Sequence, residues 1–171
     1  MSKDFDIIAC VNKKLTLGNG GNLLYHIKND LANFKRLTEN NIVIMGKKTF
    51  ESLPNRKPLP NRVNIILTHD TSYKVEGAIV VHSLHEVIEM CENPFYKGKK
   101  RFIIGGGMIY NQFIVANLVG NIILTEVNDD ADGDTIFPQI DMEKYKIYFQ
   151  TDWIQSDDGL EYRYKFLKTQ I

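Results

Sequence analysis

The chain predicts an α/β fold: a mostly parallel central sheet, helices on both faces and an antiparallel C-terminal edge hairpin, with residues 1–171 forming a single domain. Three observations predict it. Short apolar runs rich in strand formers, such as FDIIACV at Phe5–Val11 and VNIIL at Val63–Leu67, read as strands covered on both faces. Segments with helical spacing or capping signals alternate with them, as βαβ units require. The tail changes period: Tyr145, Ile147 and Phe149 alternate, as do Tyr162, Tyr164 and Phe166 with Arg163 and Lys165 between, and Asp157-Asp158-Gly159 supplies the turn.

After the first strand, Asn12–Tyr25 is polar and carries Gly18, Gly20 and Gly21, which predicts an irregular functional segment, a lid. His26–Thr38 reads as an amphipathic helix. Ile42–Met45 is the next buried strand, and Gly46-Lys47-Lys48-Thr49 opens a helix to about Leu53. Pro54–Pro60 is a stiff loop before the strand at Val63–Leu67, and Ala78–Val81 is a short further strand. Ser83 with Glu86 forms a capping box for a helix to about Cys91. A polar connector, Asn93–Lys100, leads to a strand at Arg101–Ile104, the turn Gly105-Gly106-Gly107, a helix at Met108–Phe113 and a strand at Asn121–Val127. Asn128–Asp134 is an acidic loop without the spacing or bidentate Glu of an EF-hand.

Composition excludes several classes. Lys and Arg total 21 against 21 Asp and Glu, so no net field attracts nucleic acid or an anionic membrane. No apolar run reaches the roughly 20 residues of a membrane helix, and no signal-peptide pattern opens the chain, so a cytoplasmic protein is expected. Cys10 and Cys91 lie in apolar segments as buried free thiols, and the histidines form no metal-binding spacing, so no metal is expected. No long exposed apolar stripe is evident, which predicts a monomer.

Chemistry concentrates on the His26–Thr38 helix. At about 100° per residue, Asp30, Phe34 and Leu37 share one stripe, with Leu31 and Thr38 on its shoulder. A carboxylate on an apolar stripe requires a hydrogen-bonding partner, and burial raises its pKa. Such an acid can anchor a flat, nitrogen-rich ligand. The plainer reading is a first-turn Asp offsetting the helix dipole, and spacing alone leaves both open. Gly46–Thr49 and Gly105–Gly107 each join a strand to a helix, where free N–H groups suit phosphate. Neither is a standard fingerprint: GGG lacks GxGxxG spacing, and MGKKT lacks the upstream Gly of a Walker A loop. Together they suggest a pyrophosphate clamp, to which Lys47, Lys48 and His69 add charge; the alternative is a solvated surface run.

The colinear segments Ile7-Ile8-Ala9, Leu23-Leu24-Tyr25-His26-Ile27, Asp30-Leu31, Phe34-Lys35, VIMGKKTFESL, LPNRVNIILT, IIGGGMIYNQF and ILTEV…DGDTIFP resemble dihydrofolate reductase from about Phe5 to Pro138. The resemblance implies hydride transfer from NADPH to 7,8-dihydrofolate, feeding one-carbon and thymidylate metabolism, with antifolate inhibitors as further ligands. It implies catalytic roles for Asp30, Thr125 and Tyr25. Asp30 would hydrogen-bond the pterin and support proton delivery to N5, and Thr125 would share that network. Ile8, Ala9, Leu31, Phe34 and Leu53 would form the apolar slot, Arg62 would pair with the substrate's α-carboxylate, and Lys35 and Lys57 would assist at the glutamate tail. Ala9, Cys10, Ile104 and Tyr110 would border the nicotinamide. Leu17, Gly18, Leu23, Gly46, Lys47, Lys48, Thr49, Leu67, Thr68, His69, Gly105, Gly106, Gly107, Met108 and Ile109 would hold the rest of the cofactor, with a cis Gly105-Gly106 peptide.

The chain departs from the family pattern. Tyr25 stands where bacterial members have a Trp that orients a water near the acid, and Leu24 replaces a proline. Met108 stands where some members carry an arginine for the 2′-phosphate, which shifts that task to Lys47 and Lys48. Two alternatives remain: a related NADPH-dependent reductase of a pterin or pyrimidine intermediate, and a non-catalytic nucleotide-binding module.

Overall fold

A computed structural model describes residues 3–170. Its main sheet runs β10-β12-β8-β1-β7-β4-β5-β6, where β1 is Phe5–Asn12, β4 Ile42–Gly46, β5 Val63–Leu67, β6 Ile79–Val81, β7 Arg101–Gly105, β8 Val119–Val127, β10 Tyr145–Gln150 and β12 Glu161–Thr169. The strands from β8 through β6 pair in parallel, β12 is antiparallel to β8 and β10, and β11, Ile154–Gln155, adds to β12. The helices are α1 (Lys28–Thr38), α2 (Lys47–Glu51), α3 (Leu84–Cys91) and α4 (Gly107–Val115).

Two apolar layers account for the continuous hydrophobicity of the central strands. On one face Ile7, Ala9, Ile44, Ile65, Ile103 and Leu124 pack with α3 and α4 residues such as Val87, Tyr110 and Phe113. On the other, Ile8, Val43, Met45, Ile66 and Phe102 pack with Phe34 and Leu37 of α1 and Leu53. Strand side chains alternate between faces, so neighbours Ile8 and Ala9 serve different layers.

The lid segment is more regular than expected. It contains β2 (Thr16–Asn19) and β3 (Asn22–Leu23), which pair with β9 (Thr135–Ile136) in a second, antiparallel sheet of three strands. Strands of two to four residues, two of them joined by the Gly20-Gly21 turn, carry too little apolar alternation to be read as strands. α1 begins at Lys28, because Ile27 still has extended dihedrals and no side chain caps the helix. The capping box at α3 forms as expected, with the Glu86 N–H donating to Ser83 Oγ at 3.1 Å.

Two further details differ from expectation. Cys10 is half-buried rather than buried. β10 is an edge strand on which only Tyr145 is buried, leaving Ile147, Tyr148 and Phe149 exposed. Its lysine-flanked, register-shifted pairing with β12 is the sort of irregularity that blunts an edge.

Candidate active site

In an open α/β sheet the binding crevice forms at the carboxyl ends of the parallel strands. Cys10, Gly46, Thr68, the Gly105–Gly107 turn and Thr125 all lie at those ends. The apolar layer under α1 and the turns that open α2 and α4 therefore meet at one edge of the sheet.

Asp30 lies in the first turn of α1, half-buried on the side facing the sheet. The Thr125 hydroxyl donates to Asp30 Oδ1 at 2.5 Å. Thr125 is buried on β8, between Cys10 of β1 and Tyr164 of β12 in the strand register. Paired positions point to the same face, so these side chains share one tier beneath the acid. Burial raises the pKa of Asp30; the Thr125 hydrogen bond and, more weakly, the nearby Tyr164 hydroxyl oppose the rise without cancelling it. Burial also raises the Cys10 thiol pKa, and the Asp30 charge adds to that. Cys10 is therefore an inert neutral wall beside the acid.

Of the expected slot residues, Ile8, Phe34 and Leu53 fall in one apolar cluster with Leu37, while Leu31 is 48% exposed on the helix shoulder. Ala9 is buried in the opposite layer with Tyr110, whose hydroxyl donates to the Ile8 carbonyl at 2.8 Å and ties α4 to β1 beneath the site. Arg62 is held at the far end of α1: its Nη1 donates to Thr38 Oγ1 at 3.1 Å and its Nε to the Pro60 carbonyl at 2.9 Å. Burial lowers the Arg62 pKa, with Glu39 opposing, and the side chain stays positively charged at any working pH. Lys35 and Lys57 are exposed and project into solvent.

The turn regions suit a dinucleotide. Gly46 and Gly106, the residues capping α2 and α4, have extended dihedrals and no side-chain cap, so their helices' leading N–H groups stay open to an anion. Gly105 has φ 129° and a cis bond to Gly106. That φ is strained for any residue with a side chain, so glycine is required here, and a Cβ would sit in contact, at 3.4 Å, with Thr49 Oγ1 and the Tyr110 hydroxyl. Leu67, Ile104 and Ile109 pack around the turns, and Gly18 and Leu23 pair across the β2–β3 hairpin beside buried Leu17. Lys48, His69 and Met108 are exposed at the rim. Lys47 is less free than its sequence context suggests: its Nζ lies 3.2 Å from Asp70 Oδ2 and 4.7 Å from the centre of the Tyr73 ring.

The lid is tied down by the acidic loop. Asp134 accepts from the Gly20 N–H at 3.0 Å, and Lys14 pairs with Asp132 at 3.0 Å. The Tyr25 hydroxyl donates to Asp129 and accepts from Asn12 Nδ2 at 3.1 Å. The hydrogen bonds of Tyr25 thus join the lid's end to the acidic loop rather than to Asp30. Sequence reasoning did not single out Tyr164, Asp70 or Asp129. For Tyr164 the available signal is its alternating position opposite a strand bearing Thr125; for the two acids no local pattern exists.

Residues 4–170 match the family model described as dihydrofolate reductase. The chain is 34% identical over 160 residues to dihydrofolate reductase of Bacillus subtilis (strain 168), covering 94% of this chain and 90% of that protein. It is 36% identical over 158 residues to the Neisseria gonorrhoeae enzyme, covering 92% and 93%. The structure of dihydrofolate reductase from Enterococcus faecalis complexed with NADP(H) and RAB-propyl superposes with TM-score 0.86 at 26% identity, covering 100% of this chain and 99% of that one. On the strength of both its geometry and these likenesses, the chain belongs to the dihydrofolate reductase family.

Proposed function

We propose that Asp30 is the acid through which this chain reduces 7,8-dihydrofolate, gripping the heterocycle in the slot between α1 and the sheet. The activity is that of the family, NADPH-dependent reduction of 7,8-dihydrofolate to tetrahydrofolate. The observation that carries the reading is a half-buried carboxylate bonded to Thr125 at the head of an apolar slot. A carboxylate there accepts two parallel N–H bonds from an amino-pyrimidine edge and disfavours bulk water around the proton transfer.

The fit to the cofactor lies in the uncapped helix starts and the bare Gly105 cradle. NADPH, when bound, supplies the hydride. Gly105–Gly107 and Thr49 would hold its pyrophosphate, and the strand ends at Ala9, Cys10 and Ile104, backed by Tyr110, would border its nicotinamide. Lys47 and Lys48 would meet the 2′-phosphate, Lys47 by exchanging Asp70 for it. Thr125 keeps Asp30 aimed at the heterocycle, and Ile8, Phe34 and Leu53 exclude water from its far side. Arg62, aligned by Thr38, would take the substrate's α-carboxylate as a charge-assisted pair. The whole chain would act as one domain and as a monomer, in the cytoplasm; among the described residues no helix is long and apolar enough to cross a membrane.

Purified protein mixed with NADPH and dihydrofolate should lose nicotinamide absorbance, and absence of turnover at every pH from about 5 to 8 contradicts the reading. Unconjugated dihydropterin should be the poorer substrate, because it leaves Arg62 unpaired. Equal efficiency with both would remove Arg62 from the site.

A further inference from the structure

The tier beneath Asp30 contains a group that the reaction above does not use. Tyr164 stands directly opposite Thr125 in the β12–β8 register. Its backbone is clamped on the other side, its N–H donating to Thr151 Oγ1 at 3.0 Å and its carbonyl accepting the Thr151 N–H at 3.0 Å. Its ring meets Tyr162 edge-on at 5.8 Å, and Tyr162 is only 3% exposed. The phenol thus has a fixed base and points from the same face as the Thr125 hydroxyl.

We infer that Tyr164 is a positioning residue for Asp30: its phenol donates to the same carboxyl as Thr125, so hydroxyls from two adjacent strands hold the acid toward the heterocycle. This rests on the reading of Asp30 as the substrate-gripping acid. A carboxylate has about four acceptor sites. Thr125 occupies one on Oδ1. A second donor from β12 fixes the remaining rotation and leaves the outward sites for the ligand.

The electrostatics agree in direction. The Tyr164 hydroxyl lowers the Asp30 pKa, less than Thr125 does and against the larger effect of burial. The Tyr164 pKa is raised, first by burial and then by the Asp30 charge, with Tyr162 adding to the rise and Arg36 opposing it. The titratable and charged groups around the pair include the Cys10 thiol from β1, the Tyr162 phenol from β12, the Arg36 guanidinium from α1 and the Tyr25 phenol at the end of the lid, packed in the same cluster. Tyr164→Phe keeps the ring and its packing while removing only the donor.

The test compares wild type, Tyr164→Phe and Asp30→Asn. One readout is the pH profile of hydride transfer at saturating NADPH; the other is ¹³C-carboxyl NMR titration of Asp30 where it is present. Losing one donor to a carboxylate should move the Tyr164→Phe inflection and the Asp30 titration upward by about half a pH unit or more. A purely packing role for Tyr164 would change unfolding temperature and leave both curves in place, which overturns the proposal. An inflection surviving in Asp30→Asn removes the acid role itself, yet the carboxyl titration in Tyr164→Phe still reads the contact: a rise supports it and no shift refutes it. Should Tyr164→Phe not fold, ring NMR of Tyr164 in Asp30→Asn decides, because loss of the neighbouring anion should let the phenol ionise at lower pH. An unchanged phenol titration then counts against the contact.

Discussion

At the scale of single residues, Asp30 carries a trade between activity and stability. Its pKa is raised in the folded chain by burial. A carboxyl raised on folding binds protons more readily folded than unfolded, so its favourable contribution is complete below the unfolded pKa and is lost as pH climbs through the folded one. Asp30→Asn removes that loss and keeps an acceptor for Thr125. The variant should therefore unfold at a higher temperature than wild type near pH 7, by about 2–4 °C for each kcal/mol relieved, with the gap closing below about pH 4. Thermal melts at several pH values check this, and a gap independent of pH would contradict it. Arg62 makes a different case: its bonds to Thr38 and the Pro60 carbonyl hold it in place, and its charge finds a partner only when a ligand arrives. Arg62→Leu should weaken binding of glutamate-tailed substrate by about ten- to a hundredfold, the worth of a charge-assisted bond, with NADPH affinity nearly unchanged. Calorimetric titration of each ligand separates the two, and equal losses would displace Arg62 from the substrate end.

At the scale of elements, the lid works as a small sheet fastened to a loop. Gly133 of the acidic loop lies so close to β2 that a Cβ there would collide with the Gly18 carbonyl and approach Thr16 Cγ2 at 2.7 Å. Gly133→Ala must push the loop away from β2, loosening the Asp134–Gly20 bond beyond it. Lid ordering then becomes less favourable while the central strands are untouched, so kcat and KM should both worsen by several-fold with little change in unfolding temperature. A stability loss without a kinetic effect would mean the lid sheet does not gate the site. The Tyr25 bond to Asp129 should hold across the working pH range. Burial first, and then the Asp129 hydrogen bond, push the Tyr25 phenol up to about 12, and that same bond keeps the Asp129 carboxyl below its usual value. Tyr25→Phe should therefore lower activity by a similar factor at pH 6 and pH 9. A strongly pH-dependent defect would instead indicate that Tyr25 acts on a titrating group.

At the scale of the whole molecule, the legible parts are those whose signal is local and repeated. The buried parallel strands were readable because both faces are covered, so their hydrophobic runs are continuous. The Ser83 cap was readable from its local Ser–Glu spacing, and the C-terminal hairpin from the alternation of its antiparallel strands. The lid sheet was not, because β2, β3 and β9 are short and held by distant partners: Gly20 reaches Asp134, and Gly18 pairs with Thr135. Asp30 could be singled out from helical spacing, but its partners lie on β8 and β12, and only the fold aligns them. Lys47 shows the same limit, since its neutralising Asp70 stands beyond another strand. What ties these levels together is the Asp30 carboxyl, and single-turnover hydride transfer in Asp30→Asn, followed from pH 5 to 9, tests it most directly. The expected result is a rate reduced by about 10²–10⁴-fold near neutral pH, in a chain that still binds NADPH and still folds. A variant that transfers hydride as fast as wild type across that range would contradict the central claim.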